Sequence, residues 1–232
     1  MSATKSKPRR LIRSGIERNK VLLRTNLILL LALSMMIFIV PVIPRQANLL
    51  TSLLLCLLVI SGLFAADFSR AAFRILFSIG ILVVVVTLLN LVLPDTRNFN
   101  VLTFFLNTLF FIIVTIALVS HVASTREVYG STLLAAINSY LLIGLTLSIL
   151  FLILDIFLPG SFSQLDSVNG GLSSYLYFGF VTLTTLGYGD ITPDTPLARS
   201  LSTFTALFGQ LYLVMIMALI IGKYLKGKNT TE

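Results

Sequence analysis

The amino-acid sequence predicts an all-α integral membrane protein, with six transmembrane helices plus a re-entrant helix and loop before the last of them. The 232 residues are 56% hydrophobic and only 11% charged, whereas a soluble domain carries about 25% charged residues. Six predominantly apolar stretches approach the length of about 20 residues that a helix needs to cross the hydrocarbon core. A longer connection of mixed composition, at 159–197, precedes the last stretch.

Short breaks that carry charge or turn-forming residues separate the apolar stretches. The stretches lie at roughly 26–43, 49–66, 72–93, 101–123, 131–158 and 198–222. The short breaks run from Pro41 to Asn48, from Asp67 to Arg70 and from Pro94 to Asn100, and a fourth is centred on Arg126 and Glu127. Because proline removes a backbone donor and charges are costly in lipid, each break marks the end of a span.

The basic residues predict how these spans are oriented. With both termini in the cytoplasm, 14 of the 17 basic residues lie inside, and Arg45, Arg97 and Arg199 lie outside. This distribution obeys the positive-inside rule and places the 159–197 connection on the outer side. The net charge of +8 therefore indicates contact with anionic lipid at the inner leaflet, not with nucleic acid. Residues 8–24 suit either an amphipathic helix on that leaflet or a disordered basic tail.

A nine-residue motif in the outer connection carries most of the functional information. Residues 182–190 read TLTTLGYGD. From Thr185 onward, four backbone carbonyls and the Thr185 hydroxyl supply five consecutive oxygens that can line a narrow pore. Lining a pore in this way requires alternating backbone conformations, which Gly187 and Gly189 adopt without a Cβ penalty.

This motif resembles the selectivity filter of tetrameric potassium channels of the pore-loop (voltage-gated-like) superfamily, with Leu186 where many members carry valine. In such filters, rings of oxygens from four chains replace the hydration shell of a potassium ion. The resemblance therefore implies a homotetramer that conducts K+ passively and needs no organic cofactor. It implies K+ sites at Thr185, Leu186, Gly187 and Tyr188, within a filter that ends at Gly189.

The resemblance also implies roles for residues around the filter. A short pore helix, capped at Ser173 or Ser174, is expected to aim its negative C-terminal end at the pore centre. Four residues of that helix are expected to support the filter: Tyr177, Phe178, Val181 and Thr184. Some relatives carry, at the position of Val181, a glutamate that pairs with the aspartate after the filter, so Asp190 lacks that partner here. Asp190 suits either a negative charge at the outer mouth or an ordinary turn residue.

The last span contains candidate gating residues. Gly209 follows Tyr188 by 21 residues, which matches the hinge glycine of prokaryotic relatives, and it suits either a hinge or close packing against a neighbouring helix. Val214 and Ala218 lie below it and are candidates for a hydrophobic constriction that gates the pore by dewetting. Gln210 is polar within an apolar helix, so we expect it to bond a neighbouring span or to face the cavity.

The first four spans match the sensor bundle of voltage-gated relatives only in number. Residues 101–123 contain no lysine or arginine, whereas voltage sensing needs several charges, each worth about 2.3 kcal/mol per 100 mV. The sequence predicts three units: a basic cytoplasmic amphipathic segment at 1–25, a four-helix bundle without gating charges at 26–126, and a pore domain at 127–232. Ten residues follow Gly222, so we expect any ligand gating to require an unidentified regulatory subunit.

Taken with the composition, the resemblance implies a potassium-selective, multi-pass channel subunit of a prokaryotic plasma membrane, and not an enzyme. The single Cys56 and the single His121 exclude an intrachain disulfide and a multi-histidine metal site within one chain. Two alternatives stay open within transport. Leu186 alters the packing behind the filter, which would suit a weakly selective cation channel. A membrane subunit of a potassium uptake system is the other, although such chains usually carry four pore loops.

Overall fold

The computed structural model describes residues 7–42, 48–66, 68–92, 97–125, 129–165 and 171–228, without the side chains of 7–16, 18, 48, 97 and 224–228. Within these ranges the chain forms seven α-helices. They are α1 (Lys7–Phe38), α2 (Asn48–Ala65), α3 (Arg70–Val92), α4 (Arg97–Ser124), α5 (Gly130–Phe157), α6 (Gly171–Leu183) and α7 (Pro196–Lys228). One turn of 3-10 helix at Val40–Val42 follows α1. The predicted break at Arg126 and Glu127 lies outside the described residues.

The lengths of these helices confirm the predicted all-α membrane fold. Five helices, α1, α3, α4, α5 and α7, are long and apolar enough to cross a membrane. The second predicted span forms the shorter helix α2, whose 18 residues extend over about 27 Å. That length is close to the hydrocarbon thickness of about 30 Å. Helix α1 runs without a break across residue 25, where the sequence had placed the end of the basic segment.

Helices α1 to α4 form an apolar bundle in which each helix packs against the next, and α2 also packs against α4. Phe110 is fully buried, and its ring lies where a Cβ on Gly80 would approach it to 3.4 Å. A polar contact joins α4 to α3, where the Asn107 side-chain amide donates to Thr87 Oγ1 at 3.0 Å.

Polar contacts at one end of the molecule fix the relative direction of the helices. Asn26 near the start of the first span donates to the carbonyl of Ala65, at the end of α2, at 2.8 Å. Asn138 of α5 donates in turn to the Asn26 carbonyl at 2.8 Å. At the other end, Val40–Val42 contacts α6. Helices α1 and α5 therefore run in the same direction, and α2 runs against both.

Helix α7 is joined to the bundle by a lysine near its C-terminus. The Lys223 ammonium donates to the carbonyls of Val122 and Ala123, the latter at 3.0 Å. Both carbonyls lie in the last turn of α4, where a helix has no partners of its own for them. A cation is favourable at that end of a helix dipole. The contact places the end of α7 beside the end of α4, at the opposite end of the molecule from α6.

Candidate functional site

Helix α6 crosses α5 at very short range. A Cβ on Gly179 would lie 2.0 Å from Ser148 Oγ and 3.2 Å from the Ser148 Cα. Such small residues let two helix backbones approach closely inside a membrane. Since Ser148 itself is fully buried and bonded to the Gly144 carbonyl at 2.7 Å, it cannot easily move aside. The position of α6 is thus fixed by the shape of this crossing.

An aromatic cluster packs against the middle of α6. The Phe178 ring packs edge-on against Phe151 of α5, with centroids 4.9 Å apart, and against Phe162 of the following loop at 5.1 Å. Phe151 and Phe162 also contact each other at 5.5 Å. Such tilted ring pairs add stabilisation beyond the area that they bury. Phe178 therefore lies where the sequence expected aromatic support, although its partners belong to α5 and the loop.

Asp155 is a buried junction between α5, α6 and the loop. Its Oδ2 accepts a hydrogen bond from the Tyr175 hydroxyl at 2.5 Å, and its Oδ1 accepts one from the Ser161 backbone N–H at 2.9 Å. Asp155 is 1% exposed and Tyr175 is 0% exposed. Buried polar groups are expensive unless paired, so these three groups stabilise one another in a single arrangement.

The C-terminus of α6 ends in a Schellman-type cap that passes directly into the nine-residue motif. The Leu186 N–H donates to the Val181 carbonyl at 2.9 Å, and the Thr185 N–H donates to the Thr182 carbonyl at 3.0 Å. These 6→1 and 5→2 bonds define a Schellman cap, and such a cap requires a left-handed residue at the position of Thr185. Thr185 has φ 60°, an uncommon conformation for a β-branched residue. Val181 supports the motif here through its backbone carbonyl.

Left-handed conformations alternate along the motif. Besides Thr185, Gly187 has φ 56° and Gly189 has φ 79°, whereas Leu186 and Tyr188 have negative φ values. The same stretch is exposed along its length, with Leu186 at 55% and Tyr188 at 66%. Alternation of this kind can turn successive carbonyls toward one side of the strand, as a ring of ion ligands requires.

Asp190 is the last residue of the motif and has a hydrogen-bond partner that the sequence did not indicate. The Tyr177 hydroxyl donates to Asp190 Oδ2 at 2.6 Å. This bond to the carboxylate stabilises the protonated phenol and raises the pKa of Tyr177 to about 12. Val181 stands where some relatives carry the glutamate, and Asp190 instead bonds Tyr177, one helical turn before Val181. This bond fixes the distance between α6 and the end of the motif.

The loop after Asp190 is held to the loop before α6 by backbone contacts. The Asp194 N–H donates to the Ser161 carbonyl at 2.8 Å, and the Ser163 N–H donates to the Thr192 carbonyl at 2.8 Å. Thr195 then caps α7, because its Oγ1 accepts from the Ala198 N–H at 3.3 Å. The predicted caps of α6 at Ser173 or Ser174 were wrong, since the helix already begins at Gly171.

The N-terminal end of the motif rests on α7. A Cβ on Gly209 would lie 2.3 Å from the Leu183 carbonyl oxygen, so Gly209 is the residue that lets α7 approach the end of α6. Beside it, the Gln210 amide donates to Thr185 Oγ1 at 3.4 Å. Of the two predicted roles of Gly209, close packing is therefore present in this conformation. We expected Gln210 to bond a neighbouring span or to face the cavity, and its partner is a residue of the motif.

The two candidate gate residues lie on the exposed face of α7. Val214 is 66% exposed and Ala218 is also exposed, and they share one face of the helix with Gln210. The opposite face of α7 is fixed to α5, where the Tyr212 hydroxyl contacts Ser139 Oγ at 2.6 Å and donates to the Ala136 carbonyl at 2.8 Å. Sequence analysis missed this contact, although a tyrosine in an apolar span was a signal for it.

Comparison with known proteins relates this site to ion channels. Residues 145–226 match a family model described as ion channel. A "Two pore potassium channel c" from Oryza sativa subsp. japonica is 46% identical over 52 residues, which are 22% of this chain and 11% of that protein. "Potassium voltage-gated channel subfamily A member 10" from Mus musculus and from Homo sapiens is 30% identical over 104 residues, or 42% of this chain and 19% of each relative. The chain thus spans less than a fifth of each relative's length. No solved structure matches it significantly.

Proposed function

We propose that the chain is one subunit of a potassium-selective channel that conducts K+ passively through a tetrameric pore. One observation carries the proposal: within the segment that matches ion channels, the backbone alternates left-handed residues at Thr185, Gly187 and Gly189. The C-terminal cap of α6 leads into this alternation without a gap. Carbonyls presented in this way can replace the water that a potassium ion must shed.

The rest of the site fits this chemistry. Helix α6 ends at Leu183, immediately before the proposed ion ligands, and the negative end of a helix dipole favours a cation. Asp190 adds a carboxylate at the outer mouth, where a negative charge concentrates cations. The Tyr177 hydroxyl fixes that carboxylate at 2.6 Å. We propose that Thr185, Leu186, Gly187 and Tyr188 hold the ions and that these neighbours position them.

We propose a homotetramer because one chain supplies only part of a filter. Each chain contributes one strand of ligands, and Leu186 and Tyr188 are 55% and 66% exposed in it. A K+ filter needs four such strands around one axis. The exposed face of α7, with Val214 and Ala218, would line the cavity below the filter and form its hydrophobic constriction. The mass of the assembled protein in detergent, measured by native mass spectrometry, tests this stoichiometry.

Reversal potentials in planar bilayers test the selectivity. With a tenfold K+ gradient opposed to a tenfold Na+ gradient, we expect the purified chain to reverse near the K+ limit, about 60 mV from zero. Gly187→Ala should move the reversal toward zero or abolish the current, because φ 56° strains any side chain.

Gly160→Ala is the matched control for this substitution. Gly160 also has a positive φ, of 79°, and a Cβ there meets nothing within 4 Å, as at Gly187. Its loop lies before α6, so the selectivity should not change. A reversal near zero for the unmodified chain with robust current would contradict K+ selectivity. Equal effects of both alanines would contradict the role of Gly187 in the filter.

A weakly selective cation channel is the second candidate function, and Leu186 is the observation that favours it. The side chain is larger than the valine of many filters and is 55% exposed in the chain, so it must be accommodated by a neighbouring subunit. Leu186→Val should sharpen selectivity if this bulk widens the filter, and should leave the reversal potential unchanged if the filter is already selective. If the chain were instead the membrane subunit of an uptake system, K+ current would appear only after a partner protein was added.

We further propose that the chain consists of the three predicted units: a basic lipid-facing segment at 1–25, a bundle without gating charges at 26–126, and the pore domain at 127–232. The chain would lie in a prokaryotic plasma membrane with both termini in the cytoplasm and basic residues on anionic lipid. Without charges in residues 101–123, conductance should change little with voltage. A steep rise of conductance with voltage, with ion block excluded, would contradict this. We also propose that any ligand gating requires an unidentified regulatory subunit.

A further inference from the structure

Gln210 is a polar side chain in the middle of α7 that reaches the first ligand of the proposed filter. Its amide nitrogen lies 3.4 Å from Thr185 Oγ1, and the two residues are 25 positions apart. The side chain is exposed in the chain, on the same helix face as Val214. An exposed amide on a membrane helix is costly in lipid, so this face belongs to a water-filled or protein-lined space.

The neighbouring glycine holds this contact in place. Because a Cβ on Gly209 would lie 2.3 Å from the Leu183 carbonyl, α7 touches the end of α6 at that point. Leu183 is the last residue of α6, and Thr185 follows in the cap. Gly209 thus sets the distance over which the next side chain, Gln210, can reach Thr185. Two adjacent residues of α7 therefore contact the start of the proposed filter, Gly209 by close packing and Gln210 by a hydrogen bond.

The contact has a defined chemical consequence. A threonine hydroxyl has one donor and two acceptor lone pairs, and an amide NH2 only donates. When Gln210 donates to Thr185 Oγ1, one lone pair is occupied and the hydroxyl hydrogen must point elsewhere. The second lone pair is then left for a cation. A hydroxyl that is held in this way can coordinate a cation through its oxygen without first reorienting, which is the benefit of preorganised ligands.

We propose that Gln210 is a positioning residue for the innermost ion site: its amide orients the Thr185 hydroxyl, and this sets how readily a partly hydrated monovalent cation enters the filter from the cavity. The inference rests on the proposed function and deepens it. Gln210 itself does not ligate the ion in this account. Its effect passes through Thr185, so it should appear in ion entry from one side only.

The test compares Gln210→Met with the unmodified chain in planar bilayers. Methionine keeps the length and flexibility of glutamine but removes the donor. When K+ enters from the cavity side, we expect the K+ concentration for half-maximal current to rise about three- to tenfold, the range that loss of one hydrogen bond allows. When K+ enters from the opposite side of the membrane, this concentration should not change. Leu211→Met, at the adjacent exposed position, is the control and should change neither value.

A double-mutant cycle shows whether the effect passes through Thr185. In the Thr185→Ser background the hydroxyl is kept, so Gln210→Met should have the same effect as in the unmodified chain. In the Thr185→Val background the acceptor is lost, so Gln210→Met should have no further effect. If the valine variant conducts no current, the K+-dependent rise in its melting temperature replaces the current as the readout.

The outcomes separate this inference from the function on which it rests. An unmodified chain that shows no K+ preference would overturn the proposed function. A K+-selective chain in which Gln210→Met alters entry from neither side would overturn only the role of Gln210. The same result follows if Gln210→Met has an equal effect in the serine and valine backgrounds, because the amide would then act without the hydroxyl.

Discussion

The bundle of α1 to α4 and the proposed pore region of α5 to α7 are both apolar, but they are held together in different ways. The bundle consists mainly of packed apolar side chains such as Phe110, with hydrogen bonds from Asn107 to Thr87 and from Asn26 to the Ala65 carbonyl. In the pore region, directional hydrogen bonds join successive elements: Tyr175 to Asp155, Tyr177 to Asp190, Ser139 to Tyr212 and Gln210 to Thr185.

This difference indicates which region needs precise geometry. Apolar packing is non-directional and tolerates substitutions that conserve volume. Hydrogen bonds fix angles as well as distances, and a ring of ion ligands needs both. Helices α3 and α7 make the same point, because the apolar windows of both are 22% buried. The exposed face of α7 includes Gln210, whereas the exposed large side chains of α3 from Ile75 to Val92 are apolar, as contact with lipid requires.

Gly209→Ala should have the largest effect on the pore region. A Cβ at this position would lie 2.3 Å from the Leu183 carbonyl oxygen, and forced overpacking costs about 1–3 kcal/mol, occasionally more. We expect a clear fall in the melting temperature of the reconstituted protein together with loss of selectivity, since the filter begins two residues after Leu183. Thermal denaturation and reversal potentials measure the two effects.

Gly222→Ala is the matched control on the same helix, because a Cβ there meets nothing within 4 Å. It should leave the melting temperature and the selectivity unchanged. The comparison also separates the two roles that the sequence left open for Gly209. If Gly209→Ala changes only the rate of opening and leaves the melting temperature unchanged, the residue is a hinge and the packing role is wrong.

Tyr175→Phe, paired with Thr87→Val, sharpens the comparison between the two regions. Tyr175→Phe leaves the Oδ2 of the buried Asp155 without its donor, which costs about 1–3 kcal/mol. Thr87→Val removes the corresponding bond of the bundle, but the Asn107 amide keeps the Thr103 carbonyl at 2.9 Å. Polar contacts of this kind inside membranes average about 0.6 kcal/mol. We therefore expect a larger loss of thermal stability for Tyr175→Phe, and altered conduction for that variant alone.

Equal losses of stability in the two variants would show that the hydrogen bonds of the pore region have no special weight. Altered conduction in Thr87→Val would be more damaging to the comparison, because it would give the bundle a direct part in the filter geometry. Asp155→Asn in the Tyr175→Phe background supplies a further check. It removes the carboxylate whose partner has been lost, so part of the lost stability should return.

The fold class was predictable from the sequence, and the nine-residue motif of the proposed filter could be recognised there, because both depend on local patterns. Long apolar stretches determine spans, and nine consecutive residues determine the motif. The junction at Asp155 was not predictable in this way, because Ser161 and Tyr175 reach it only after the loop folds back on α5. The same holds for Tyr177 and Asp190, which are 13 positions apart. The contact of Val181 was not predictable for another reason: it uses the backbone carbonyl, about which side-chain identity carries no information.

Lys223→Met tests the contact that links the two regions, and we expect its effect to be the smallest. An ammonium at a helix C-terminus is typically worth about 0.3–1 kcal/mol, which corresponds to a shift of about two- to fivefold in an equilibrium. Lys223 lies nine positions after Val214, and thus on the opposite face of an α-helix. Its bonds to Val122 and Ala123 hold the end of α7 toward the bundle. We therefore expect the substitution to lower the open probability by about two- to fivefold.

Lys20→Met controls for the loss of one positive charge, because Lys20 is an exposed residue of α1, near the same end of the molecule. Single-channel recordings at fixed voltage and ionic strength provide the open probability of both variants. If both lower it equally, the effect is one of charge near the membrane surface. If Lys223→Met raises it, the lysine holds α7 in a closed position. If Lys223→Met alone lowers it, α4 stabilises the open position of α7 through two carbonyls, and a bundle without gating charges still influences the gate.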